Sequence, residues 1–182
     1  TARDRVLSAR GLDTLLADLE KQQAVMAEVA DDVIRDRAVR RYGQLEERFA
    51  ALGGYAAESE AGRICASLGL PERVLAQQLR TLSGGQRRRV ELARILFAAS
   101  DSGAGSDTTL LLDEPTNHLD ADSLGWLREF LRGHSGGLVV ISHNVDLLAD
   151  VVNRVWFLDA VRGEVDVYNM GWQRYLDARA TD

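Results

Sequence analysis

Thr108-Thr109-Leu110-Leu111-Leu112-Asp113-Glu114-Pro115-Thr116-Asn117-His118-Leu119-Asp120 is the stretch on which the fold turns. The apolar run from Thr108 to Leu112, closed by two acids and a proline, predicts a buried strand that delivers carboxylates at its C-terminal edge. Adjacent carboxylates at a strand exit suit phosphoryl transfer: one holds Mg²⁺ through its water shell while the next faces an attacking water. Asp113 is the candidate for the first role and Glu114 for the second. The same pair also fits a strand-end or helix-cap acid, so its neighbours have to decide.

Downstream, residues 122–131 carry helical spacing, and Leu138-Val139-Val140-Ile141 predicts a second buried strand ending at Ser142-His143. A helix through Leu147, Leu148, Val151 and Val152 follows. Val155-Trp156-Phe157-Leu158 and Val165-Asp166-Val167-Tyr168 flank an Arg162-Gly163 turn and read as a terminal hairpin. Strand alternating with helix predicts an α/β fold with a parallel sheet. His143, at the end of the second strand, reaches the edge that carries Asp113 and Glu114, where it can donate to a γ-phosphate oxygen. Trp126, Trp156 and Trp172 read as packing residues rather than base-stacking platforms. His118 and His134 are assigned no metal.

Upstream, residues 100–107 form a small-residue loop, preceded by Leu82-Ser83-Gly84-Gly85-Gln86 and the helical run RRRVELARILFAA. Ser83 stands where an N-cap belongs. A serine and two glycines opening a helix expose backbone N–H groups and the positive end of the helix dipole, which makes an anion site. A tight turn with a serine cap is the plainer alternative. Arg87, Arg88 and Arg89 point in different directions on a helix, so carboxylates or a neighbouring nucleotide are expected as their partners more than RNA.

Further upstream, Leu12, Leu15, Leu16, Leu19, Val25, Met26 and Val29 are helically spaced, as are Val33, Ile34, Val39, Tyr42, Leu45, Phe49 and Leu52. A turn at Asp31-Asp32 makes the two a helical hairpin, stopped by Gly53-Gly54. A helix from Ser59 to Leu68, a break at Gly69-Leu70-Pro71 and a short helix through Val74 and Leu75 complete this region.

The whole chain has 182 residues, 46% hydrophobic and 27% charged, enough for one globular domain or two small lobes. Its net charge of −6 argues against a uniformly basic nucleic-acid binder. The one cysteine, Cys65, excludes an internal disulfide framework and a Cys-rich zinc site, and is expected to be a small buried hydrophobe. No apolar run reaches the roughly 20 residues a membrane span needs, and the first residues lack the apolar centre of a signal peptide, so a cytoplasmic location is expected. The single lysine, Lys21, follows no glycine loop, and GxxxxGK[ST] is absent from the sequence.

LSGGQ at 82–86, TLLLDEP at 109–115, NHLD at 117–120 and ISH at 141–143, in this order and spacing, closely resemble the ATP-binding-cassette ATPases. The resemblance implies a partial P-loop NTPase domain, with residues 1–80 as a helical subdomain bearing an arm-like hairpin at about 12–52. Residues 81–182 would be the signature helix, Walker B strand, D-loop, switch histidine and C-terminal hairpin. It also implies ATP and Mg²⁺ as cofactors. Ser83, Gly84, Gly85 and Gln86 would cradle a γ-phosphate, Asp113 would bind Mg²⁺, Glu114 would be the catalytic base, Asp120 would couple two sites, and His143 would hold the γ-phosphate. DEPTNHLD, the preceding hairpin and the tail YNMGWQRYLDAR are similar to the ABC-F branch, whose members carry two cassettes in one chain and act on the ribosome. Expected partners are therefore a second cassette in the same parent chain, or a dimer mate, and the ribosome with its rRNA and tRNA, the hairpin being the element to meet RNA.

Walker A, the adenine-stacking aromatic and the Q-loop glutamine do not appear, so the chain reads as the C-terminal two-thirds or so of one cassette, inactive as an ATPase alone. Asn144 stands where this branch commonly has aspartate. Two other readings compete: the nucleotide-binding subunit of a membrane transporter, and a non-hydrolysing truncated binding module.

Overall fold

The computed structural model describes residues 1–100 and 108–181, so the expected small-residue loop lies outside the described residues except at its first position, Ser100. Two compact units emerge: residues 1–100 with 118–123, and residues 108–117 with 124–181.

The first unit is helical. Thr1 opens α1 (Ala2–Leu7) through a reciprocal capping box with Asp4, a short helix that hydrophobic spacing did not reveal. A 3₁₀ turn, Ser8–Arg10, and a left-handed Gly11 lead into α2 (Leu12–Glu28). Asp31 starts α3 (Asp32–Ala51) by accepting the amides of Val33 at 2.9 Å and Ile34 at 3.1 Å, so the expected hairpin forms with its turn where two aspartates interrupt the apolar pattern. Leu12, Leu15, Ala38, Leu45 and Phe49 of the hairpin are buried. Val33, Ile34, Val39 and Leu52, expected on the same stripe, are exposed.

The Gly53-Gly54 pair joins two helices. Gly53 takes φ 65°, and Gly54 already begins α4 (Gly54–Ser67), five residues before the expected start at Ser59. The reason lies in packing: a Cβ at Gly54 would fall 2.4 Å from the Phe49 ring. The break at residues 69–71 precedes α5 (Glu72–Leu75), and a 3₁₀ turn, Leu79–Thr81, leads to α6 (Gly84–Ala99). On α6, Val90, Ala93, Leu96 and Phe97 are fully buried, and the helix packs against α1 and α4. Burial of the Val90, Leu96 and Phe97 side chains stabilises by about 1.5–3 kcal/mol each. Arg10 clamps the end of α6, its guanidinium 3.8 Å above the Phe97 ring and donating to the Phe97 carbonyl at 2.7 and 3.0 Å.

The second unit holds the sheet. β1 (Thr109–Asp113) pairs in parallel with β2 (Gly137–Ile141), Thr109 opposite Gly137 and Asp113 opposite Ile141. A parallel pair needs a crossover, and α7 (Ala121–Gly133) supplies it. α8 (Val145–Val151) leads to β3 (Val155–Asp159) and β4 (Glu164–Tyr168), the expected antiparallel hairpin turning at Gly163 with φ 66°. The tail forms a helix, α9 (Trp172–Thr181), on which Tyr175 is buried with its ring 5.0 Å from Tyr168 and 5.5 Å from Trp172.

Two expectations are corrected here. β1 and β2 are half-buried rather than fully buried: Leu110 and Leu112 face the core while Leu111 is 70% and Ile141 62% exposed. A near-continuous apolar strand is buried only where both sheet faces are covered, and among the described residues none covers the second face here. Trp156 is likewise 63% exposed, sharing the open face of the hairpin with Leu158, Val165 and Val167 rather than packing inward.

Candidate functional site

Parallel pairing brings the C-terminal ends of β1 and β2 to one edge. The amide of Glu114 donates to the Ile141 carbonyl at 2.8 Å, carrying the ladder one residue past Asp113. Glu114 then turns the chain with φ 46°, an uncommon conformation for a side chain of this kind. The strand ends thus bring Glu114 and His143 together, as their positions in the sequence suggest: the His143 amide lies 3.5 Å from Glu114 Oε2, and its Nε2 lies 3.5 Å from Oε1. Oε1 is buried and has no hydrogen-bond donor among the described residues, while the imidazole of His143 is 98% exposed. Such an arrangement has an acceptor waiting for a water proton and a ring N–H free to meet an anion. Asp113 is exposed at the end of β1. Among the described residues no three His, Cys, Asp or Glu side chains converge as a metal cage, so a cation here would take Asp113 together with water and phosphate oxygens.

The first unit carries the glycine segment. Ser83 caps α6, its hydroxyl accepting the Gln86 amide at 3.2 Å while Gln86 Oε1 accepts the Ser83 amide at 3.0 Å. Both side chains are engaged in the box, which leaves the amides of Gly84 and Gly85 at the positive end of a 16-residue helix. Nothing lies within 4 Å of the place a Gly84 Cβ would occupy, so an anion's approach meets no side-chain obstruction there.

Asp120 belongs to this same unit. It accepts the Ser123 amide at 2.8 Å, and that bond, with the Ser123 hydroxyl and the Arg89 charge, holds its carboxyl below the usual aspartate range. The direct hydrogen-bond partners of the arginine run are an imidazole and two carbonyls, and among carboxylates Asp120 feels the Arg89 charge. Arg88 Nη1 lies 3.2 Å from His118 Nε2, and Arg89 Nη1 donates to the carbonyls of Leu68 at 3.2 Å and Gly69 at 3.1 Å. His134 Nε2 is 3.3 Å from the Thr108 carbonyl. Asn144, which the motif comparison treats only as a substitution, caps α8, its Oδ1 accepting the Leu147 amide at 2.8 Å. An Asn directly before an apolar helical run was the signal for it.

Residues 8–117, more than half of the chain, match the ABC transporter family. The chain belongs to that family. Its relatives include ATP-binding proteins of the ABC-F type. The tylosin resistance ATP-binding protein TlrC of Streptomyces fradiae is 36% identical over 183 residues, covering 100% of this chain and 32% of TlrC. The energy-dependent translational throttle protein EttA of Escherichia coli (strain K12) is 36% identical over 162 residues, 88% of this chain and 27% of EttA. ABC transporter F family member 4 of Arabidopsis thaliana is 36% identical over 144 residues, 76% of this chain and 19% of that protein. This ABC chain therefore spans between about a fifth and a third of the length of these relatives. Among its described residues no helix is long and apolar enough to cross a membrane.

Proposed function

We propose that this chain is part of an ABC-F ATPase that binds and hydrolyses ATP to drive a conformational switch on the ribosome, in translation or in ribosome protection against an antibiotic. The observation that carries the reading is the unpartnered, buried Glu114 Oε1 facing His143 at the edge of a parallel strand pair. The similarity to the translational throttle protein EttA and the tylosin resistance protein TlrC supports the translational and resistance contexts.

Mg-ATP would supply the electrophilic γ-phosphorus and charge neutralisation at the transferred group. The residues present fit it: Oε1 lacks a donor that an ordered water provides, Asp113 is open to a hydrated cation, and the Gly84 and Gly85 amides are unobstructed. Glu114 would orient a water and take its proton, His143 would donate to a γ-phosphate oxygen, and Asp113 would hold Mg²⁺. Ser83, Gly84, Gly85 and Gln86 would embrace the nucleotide of a second cassette, with Asp120 linking the two sites. For Ser83 and Gln86 to contribute side chains, the capping box between them has to open. The 182-residue chain on its own is expected to show no appreciable ATPase activity, since GxxxxGK[ST] is absent from its sequence.

The test is co-sedimentation of the full-length protein, carrying Glu114→Gln, with ribosomes. General-base assistance is worth ~10²–10⁴-fold, so this variant should bind ATP, hydrolyse it at least about a hundredfold more slowly and pellet with ribosomes only when Mg-ATP is present. Unchanged hydrolysis would remove Glu114 from its role. A protein that stays in the supernatant with and without Mg-ATP would displace the ribosome in favour of a transporter partner.

A further inference from the structure

Arg88 and Arg89 follow the glycine segment on α6, yet neither the anion site nor the sheet edge uses them. Arg88 meets the loop that runs from His118 to Asp120 at His118, while Arg89 donates to the Leu68 and Gly69 carbonyls and acts on Asp120 through its charge. An arginine has no acceptor, so in the Arg88–His118 pair the guanidinium is the donor and the ring Nε2 the acceptor. His118 takes φ 68°, which a non-glycine residue adopts only when its surroundings hold it there. A second surface supports the same loop: a Cβ built on Gly85 would meet His118 Cβ at 3.7 Å. The residues just after α4 join in. A Cβ on Gly69 would lie 2.9 Å from Arg89 Nη1, 3.6 Å from Asp120 Oδ2 and 3.6 Å from the Ser123 hydroxyl. Gly69 itself takes φ 67°, so its lack of a side chain lets the Arg89 guanidinium, Asp120 and Ser123 approach one point. Ser123 is 3% exposed, the one buried polar side chain among the described residues.

We infer that Arg88, backed by Arg89, is a positioning residue that fastens the His118–Asp120 loop to the signature helix, so that the two segments facing a second cassette's nucleotide travel as one piece. The inference rests on the ATPase reading above for its consequence, though not for its geometry. Arg88 is exposed and touches no reacting group, so it acts through where the loop sits rather than through nucleotide affinity.

Two measurements on the full-length protein test it. The first places cysteines at both ends of the contact, Gly85→Cys with His118→Cys. Their Cβ separation of 3.7 Å falls in the disulfide range of about 3.5–4.5 Å, and within this chain the other thiol, Cys65, is buried. Mild oxidation should close this bond equally fast without nucleotide and with Mg-ATP, as two segments that travel as one piece would. A bond that never closes, or closes in one nucleotide state alone, overturns the inference. The second measurement is steady-state hydrolysis. In the otherwise native protein Arg88→Ala should lower kcat about tenfold with KM held within about twofold, because the loop aligns a site that other groups bind. An unchanged kcat overturns the positioning role. If the native full-length protein hydrolyses no ATP, the ATPase reading falls by itself and the crosslinking result still judges the fastening.

Discussion

Glu114 has two attributes that a carboxylate placed for structure alone would not need together: a left-handed backbone and a buried oxygen with no donor. The first sets it apart from the extended strand it ends, and the second leaves a desolvated acceptor whose cost is met only when a water or ligand fills it. Cys65 is its opposite, a titratable group with no opening to solvent. Burial pushes its thiol up to about 11. At pH 8 the native chain should therefore react with iodoacetamide about a hundredfold more slowly than the urea-unfolded chain, followed by mass spectrometry. Equal rates in the two states would mean that the α4 packing around this thiol is wrong.

At the scale of elements, the first unit is organised around α6. Arg5 of α1 donates to Glu91 Oε1 at 2.7 Å, and Arg94 reaches the same carboxylate at 2.9 Å. The Arg5 hydrogen bond is the main reason the Glu91 carboxyl sits below the usual glutamate range. A lowered native value means that the associated stability is fully present above the ordinary glutamate value and is lost as the pH falls through the native one. Urea midpoints of the 182-residue chain should thus decline between about pH 5 and pH 3, with Glu91→Gln flattening part of that decline. A parallel decline in the variant would show that the α1–α6 pair does not contribute. The α3–α4 corner offers a sharper case. Gly54→Ala would drive a methyl onto the Phe49 ring and should cost about 1–3 kcal/mol in urea unfolding, whereas Gly43→Ala, where nothing lies within 4 Å, should be neutral or stabilising by up to about 1 kcal/mol. Equal effects at the two glycines would contradict the Phe49 packing.

At the scale of the whole chain, two open apolar faces dominate what it will do in solution. Leu111 and Ile141 face outward on β1 and β2, and Trp156 and Leu158 do so on β3. Exposed strand faces of this kind associate with whatever covers them. The 182-residue chain should self-associate as its concentration rises, and Trp156→Ser with Leu158→Ser should reduce this, read as average mass by sedimentation equilibrium. A monomer throughout would show that these faces are too small or too divided to act as an interface.

Much of this molecule could be read from the sequence because its determinants are local. Ser83 and Asp31 cap helices through amides two or three residues away, and the Gly163 turn and the α2–α3 hairpin depend on residues adjacent in the chain. Motif order likewise named Asp113, Glu114 and His143 together, since a parallel strand pair brings successive strand ends to one edge. Tertiary structure decided the rest. Gly54 starts a helix because Phe49 lies beneath it, Leu111 is exposed because no described residue covers its face of the sheet, and Arg88 finds His118 thirty residues further along the chain. Capping and turns are short-range hydrogen bonds that a few neighbouring residues encode. Steric fit, burial and a ring's hydrogen-bond partner depend on which distant surfaces meet, and only the folded chain brings those surfaces together.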